Sequence, residues 1–257
     1  MRPCLSLSAT RTMSRRGYYM ASQPIVTGDV LNAPIVSGYE LLARQQTNEG
    51  ATLTPSEFIA RLSGNDLRAL DGLALLYAIE QVVEPTNLNL TFNFNCSIRS
   101  LLDVNFIEFA ADQLRALSDE QRSRLVLEIT ETERVEPRTV GGTWRLLQRN
   151  VNVFVDNGIR VAIDDFSCGH ACLSLVRNLP VRIIKWSKTA LDECHFAARK
   201  GSGYQDQMAI DLMHSIGHTM RGWGCDVIAE GIEHENQIQS ALDLGANYFQ
   251  GFFLENR

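Results

Sequence analysis

Apolar, β-prone runs recur along the chain at 20–27, 35–43, 89–95, 125–130, 159–164, 181–186, 226–230 and 247–253. Turn-rich stretches bound them, which is the mark of short strands. Between the runs, apolar residues return every three or four positions at 66–84, 98–116, 141–156, 204–223 and 236–244. That spacing predicts helices, with Asp66 and Asn236 as N-caps. Pro55, directly after Thr54, is placed to open a further short helix. The apolar stripe of 66–84 is expected in the core. Trp186 follows Lys185 and is expected to alternate into packing.

Eight strand candidates alternating with helices predict a parallel α/β architecture. The link between 20–27 and 35–43 is too short for a helix, so those two strands are expected to be antiparallel. A length of 257 residues is near that of a TIM-like barrel. The expected fold is therefore a (β/α)8 barrel with an antiparallel first strand, formed by residues 20–257. Residues 1–19 carry four arginines and no acid. They are expected to form a disordered arm.

Composition narrows the function classes. A hydrophobic share of 45% and a charged share of 21% suit a globular domain with a full core. The net charge of −6 argues against binding to a nucleic acid polymer. No apolar run approaches the ~18 residues of a membrane span. No apolar core of a secretory signal stands near the start either, so a cytoplasmic location is expected. Six cysteines occur without a C-x-x-C pair, which suits reduced thiols. Cys168 and Cys172 are four apart but lack partners at metal-finger spacing. His214 and His218 share that spacing and are expected on an exposed or partner-contacting helix face. His170, just after the acidic pair at 164–165, is the better functional candidate.

The candidate chemistry lies in polar residues at the ends of apolar runs. Glu40 closes VSGYE, Asn95 closes LTFNFN, and Glu128 sits in LVLEITE. Asp164 and Asp165 close RVAIDD, Lys185 closes VRIIK, Glu230 closes DVIAE, and Gln250 follows NYF. In a parallel barrel the strand C-termini open onto the face that holds the active site. So many carboxylates there repel one another unless cations neutralise them. The donors are oxygens, without His or Cys, which suits Mg²⁺ or Mn²⁺ better than Zn²⁺. Adjacent aspartates with separate glutamates suit two ions, an arrangement used for phosphoester hydrolysis.

The same segments resemble, in order, the EAL family of cyclic di-GMP phosphodiesterases. Gln23-Pro24-Ile25 is similar to the family's Q-P-I, and Glu40-Leu41-Leu42 to its E-A-L. Arg44 matches the arginine that follows. Asn95-Cys96-Ser97 resembles N-L-S, and Glu128-Ile129-Thr130-Glu131 resembles E-x-T-E. Asp164-Asp165-Phe166-Ser167 is similar to D-D-F-G, Glu230-Gly231-Ile232-Glu233 to E-G-V-E, and Gln250-Gly251-Phe252 to Q-G-Y. The resemblance covers about Gln23 to Phe253.

It implies hydrolysis of cyclic di-GMP to linear pGpG with two Mg²⁺ or Mn²⁺ ions. It assigns Glu40, Asn95, Glu128 and Asp164 to one ion, and Asp164, Asp165 and Glu230 to the other. Lys185 is implied to hold the attacking water, and Glu230 serves as ligand or general base. Arg44 is implied to bind phosphate, for which a planar bidentate donor is apt. Gln23 and Gln250 are implied near the nucleotide, and Glu131 and Glu233 are implied anchors of the loop after Asp165. The family pattern further implies a homodimer and another helix beyond Arg257.

Two departures stand out. Lys185-Trp186-Ser187 replaces the family's K-I-D, which removes one carboxylate, and SCGHACL replaces its usual GTGYSSL. They support an alternative: a catalytically weak domain that senses cyclic di-GMP or regulates a protein partner.

Overall fold

The computed structural model describes residues 7–130, 142–166, 170–200 and 204–255. The chain folds as two compact units, residues 1–22 with 39–160, and residues 23–38 with 161–257. The strands, labelled in chain order, are β1 Tyr18–Asp29, β2 Ala33–Gln46, β3 Thr52–Leu53, β4 Thr91–Ser97, β5 Leu125–Thr130, β6 Arg160–Phe166, β7 Ile183–Trp186, β8 Asp226–Ala229 and β9 Tyr248–Phe249. All eight expected strands are present, with β3 in addition. β1 and β2 pair with each other.

In the first unit, β4 and β5 run parallel, with Phe92 opposite Leu125 and Asn95 opposite Glu128. Phe94 and Leu127 are fully buried between them and the helices. The helix Gly64–Val83 packs on β4. It buries every residue from Ala69 to Leu75, so it is a core element, as its stripe predicts.

Its N-cap is Ser63, not Asp66: the Ser63 hydroxyl accepts from the Asp66 amide at 3.2 Å and donates to the Asp66 carboxylate at 2.7 Å. A hydroxyl one turn upstream thus takes the capping role and leaves the acid as its reciprocal partner. The expected helix 98–116 breaks into Ile98–Leu101 and Val104–Leu114. Asp103 causes the break, because its carboxylate accepts from the amides of Asn105 and Phe106 at 2.9 and 3.3 Å and caps the second piece.

Residues expected within a disordered arm form the helix Leu7–Arg15 instead. Thr10 and Met13, three apart, are buried on one face, and the helix packs on Gly64–Val83. Arg16 pairs with Asp66 at 2.6 Å. Arg11 and Arg15 are exposed and form the solvated side of this amphipathic helix.

In the second unit, β6, β7, β8 and β9 are parallel neighbours. β1 joins β9 antiparallel, with Val26 opposite Phe249, so the antiparallel first strand is observed. Asn236 does not cap a helix. It lies within the 3₁₀ turn Glu235–Gln237, capped by His234, that leads into the helix Ile238–Asp243. The helices His170–Asn178 and Lys188–Lys200 were not anticipated from the pattern. In the latter, interspersed charges dilute the apolar repeat. Trp186 is fully buried, edge-on to Phe166 at 5.1 Å, and its indole N–H donates to the Leu244 carbonyl at 3.1 Å. Its expected packing role is what the structure shows.

Candidate functional site

Alternation along a strand sends residues two apart to the same face. In β4 this puts Asn93 and Asn95 on one face, and register puts Glu128 of β5 level with Asn95. Glu40 is buried too, although it sits within β2 and not at its end as the apolar run suggested. The four side chains of the first unit form two amide–carboxylate pairs. Asn95 Nδ2 donates to Glu40 Oε1 at 2.8 Å, and Asn93 Nδ2 donates to Glu128 Oε1 at 2.6 Å. Each amide oxygen is buried without a hydrogen-bond partner. An unsatisfied amide oxygen beside a carboxylate is a costly arrangement that a hard cation would relieve. Arg44, half-buried, donates from Nη1 to the Ala43 carbonyl at 2.8 Å.

Behind β4, Asp71 accepts from the Ser97 amide at 3.0 Å and the Ser97 hydroxyl at 2.7 Å. Burial pushes its carboxyl above the usual range, against the pull of these bonds. Asp71 thereby fixes the turn that follows Asn95. Neither Asn93 nor Asp71 figures among the sequence-expected site residues. For Asn93 the signal was present, since the polar alternation in T-F-N-F-N marks both asparagines.

In the second unit the centre is Lys185 of β7, whose side chain is fully buried. Its Nζ lies 2.6 Å from Glu230 Oε1 and 3.2 Å from Asp164 Oδ1. A buried ammonium persists only when paired, and two carboxylates supply the pairing. Strand positions explain the convergence. Asp164 is near the end of β6, Lys185 near the end of β7, and Glu230 directly follows β8, its amide donating to the Trp186 carbonyl at 3.1 Å. β6 carries one extra residue against β7 between Ile163 and Phe166. This bulge contains Asp164 and Asp165, and Asp165 adopts φ 48°. Bulges of this kind re-aim side chains beside functional sites.

Gln250 follows β9, and its Nε2 donates to Gln23 Oε1 at 2.8 Å. Gln23 in turn donates to Glu255 at 2.7 Å. The structure thus brings together the two glutamines expected near the nucleotide. Glu233 is exposed and lies 3.3 Å from Lys188 Nζ. Lys188 also pairs with Asp192 at 2.8 Å, and this bond is the main reason its ammonium is held above the usual lysine range.

Ser187 is buried and caps the helix Lys188–Lys200, its hydroxyl accepting from the Ala190 amide at 3.2 Å. Glu131, Ser167, Cys168 and Gly169 lie outside the described residues. His214 faces Cys194 at 3.5 Å, and His218 is exposed. Burial pushes the Cys194 thiol up to about 11. No helix among the described residues is long and apolar enough to cross a membrane.

The EAL domain family model matches residues 7–256. The chain is 25% identical over 244 residues to a cyclic di-GMP phosphodiesterase of Pseudomonas aeruginosa, PA2567, covering 94% of this chain and 38% of that protein. It spans 35% of a Mycobacterium tuberculosis relative, 26% of one from Bacillus subtilis and 57% of one from Escherichia coli, so less than two thirds of each. A solved EAL domain protein from Listeria monocytogenes EGD-e superposes with a TM-score of 0.76 at 22% identity, covering 100% of this chain and 94% of that one. PaMucR phosphodiesterase in its c-di-GMP complex gives a TM-score of 0.75 at 22% identity, covering 98% and 96%. These likenesses show the fold class, the TIM-like α/β barrel of EAL domains. With the family match running from the first described helix to the last turn, the chain belongs to the EAL domain family.

Proposed function

We propose that the chain hydrolyses cyclic di-GMP to linear pGpG with two Mg²⁺ or Mn²⁺ ions. The observation that carries this reading is the fully buried Lys185, paired with both Asp164 and Glu230. An ammonium with three donors, fixed by two carboxylates, can hold and polarise a water molecule. The name of the Pseudomonas relative and the ligand in the PaMucR complex support the substrate.

Glu40, Asn95 and Glu128, together with Asp164, would hold one ion, and Asp164, Asp165 and Glu230 the other. The unpartnered Asn95 oxygen fits this assignment. Bound ions would activate water at neutral pH and offset charge on the phosphate oxygens. Arg44 binds a phosphate oxygen of the substrate, while Gln23 and Gln250 bind the nucleotide. Lys185 orients the attacking water. Glu131 and Glu233 anchor the loop after Asp165. The water oxygen forms a bond to phosphorus as one phosphorus–ribose oxygen bond breaks. Glu230 takes the water proton, and the departing ribose oxygen gains one from solvent.

The test is incubation of pure protein with cyclic di-GMP and Mn²⁺ at pH 7–9, with products separated by chromatography. Linear pGpG is expected, and Lys185→Met should lower the rate roughly 10²–10⁴-fold. Intact substrate at every pH would refute the hydrolase reading. Ser187, neutral where the family has an acid, favours a second reading as a cyclic di-GMP receptor. Calorimetry separates the two: tight nucleotide binding without turnover identifies the receptor.

A further inference from the structure

We propose that Asn93 is a positioning residue for Glu128, and that it sets the affinity of the first unit's carboxylates for a divalent cation. The inference rests on the metal-dependent reading above and goes beyond its ligand set. Glu128 is 0% exposed and Asn93 2%. In that setting a carboxylate oxygen needs a donor, and Asn93 Nδ2 supplies one to Oε1 at 2.6 Å. With Oε1 engaged, the plane of the Glu128 carboxylate is fixed.

The neighbouring pair repeats the device, with Asn95 Nδ2 on Glu40 Oε1 at 2.8 Å. The two asparagines are successive residues on one face of β4, so one strand orients carboxylates carried by β2 and β5. Asn93 lies opposite Val126, two residues below the Asn95–Glu128 level on the same face. It therefore supports Glu128 from beneath and acts through it. Leucine at this position would fill the same space and remove the donor. Outer partners of metal ligands commonly change metal affinity 10–100-fold when lost.

The test compares wild type, Asn93→Leu, Asn93→Ala, Glu128→Gln and the double variant Asn93→Leu/Glu128→Gln. Mn²⁺ binding is measured by calorimetry, with far-UV circular dichroism as the check on folding. Asn93→Leu should remain folded and bind Mn²⁺ about tenfold or more weakly than wild type. In the Glu128→Gln background the same change should have little further effect on Mn²⁺ affinity, because the anionic ligand that Asn93 orients is gone. Unchanged Mn²⁺ affinity in folded Asn93→Leu would overturn the proposal. Equal losses in both backgrounds would overturn it too, as would failure of both Asn93 variants to fold, which would assign Asn93 to packing alone. Absence of Mn²⁺ binding in wild type is a distinct result, which defeats the metal-dependent reading and this inference with it.

Discussion

Ser187 meets one of two demands that the family pattern gives to an aspartate. It is the structural one: the first turn of the helix Lys188–Lys200 needs an acceptor, and the Ser187 hydroxyl takes the Ala190 amide at 3.2 Å. Serine and aspartate are both good N-caps, so the exchange keeps the helix while removing a charge. The position therefore separates stability from rate. Ser187→Ala should cost about 1 kcal/mol in urea unfolding, whereas Ser187→Asp should stay within a few tenths. In the hydrolysis assay Ser187→Asp should gain roughly tenfold, the scale on which outer partners tune metal sites. A stable Ser187→Ala would mean the hydroxyl does not hold the helix. An unimproved Ser187→Asp would mean another group already supplies what the carboxylate did.

At the scale of elements, the decisive features are where strands end and how closely the following segments approach. Lys185, Glu230 and Gln250 all stand within one residue of a strand end. After β9 and Gln250, the position of Gly251 admits no side chain. Its φ is 154°, and a Cβ there would lie 2.2 Å from the Ile232 carbonyl oxygen and 2.3 Å from the Ile232 nitrogen. Those same Ile232 groups bond the chain on either side of Gly251: the Ile232 amide donates to the Gln250 carbonyl, and Phe253 donates to Ile232, each at 3.0 Å. Gly251→Ala must push these segments apart and carry Gln250 with them. It should destabilise by about 3 kcal/mol. In a chain of this size that lowers the melting temperature by roughly 6–12 °C. A melting temperature within a degree of wild type would show that the turn opens without cost.

For the whole molecule, the proposed ligands are divided between the units. Glu40, Asn95 and Glu128 belong to the first, and Asp164, Asp165 and Glu230 to the second. Each unit has its own device for containing its acids: amide pairing in the first, Lys185 in the second. Cation binding by the folded chain should stabilise it by mass action, about 2.7 kcal/mol at a free concentration of 100 Kd. Melting curves with and without Mn²⁺ should show that rise. Glu40→Gln in one unit and Asp164→Asn in the other should each diminish it. A rise untouched by either substitution would place the cation elsewhere.

The sequence by itself determined eight of the nine strands, the antiparallel first strand and the polar residues that interrupt the apolar runs. These follow from period-two and period-3.6 patterning and from polar residues that interrupt apolar runs, both local properties. Tertiary structure alone decided what those side chains meet. Lys185 and Glu230 are 45 positions apart in sequence and 2.6 Å apart in space. The Asp164–Asp165 bulge depends on the register against β7, which no single segment specifies. Asn93 was visible as half of an alternating pair, but its partner Glu128 became evident only when β4 and β5 were in register. The arginines near the start read as a solvated arm because their apolar partners are few. Only the surface of Gly64–Val83 gives Thr10 and Met13 somewhere to be buried. Local pattern fixes which face a side chain takes, and packing between distant segments fixes what it meets there.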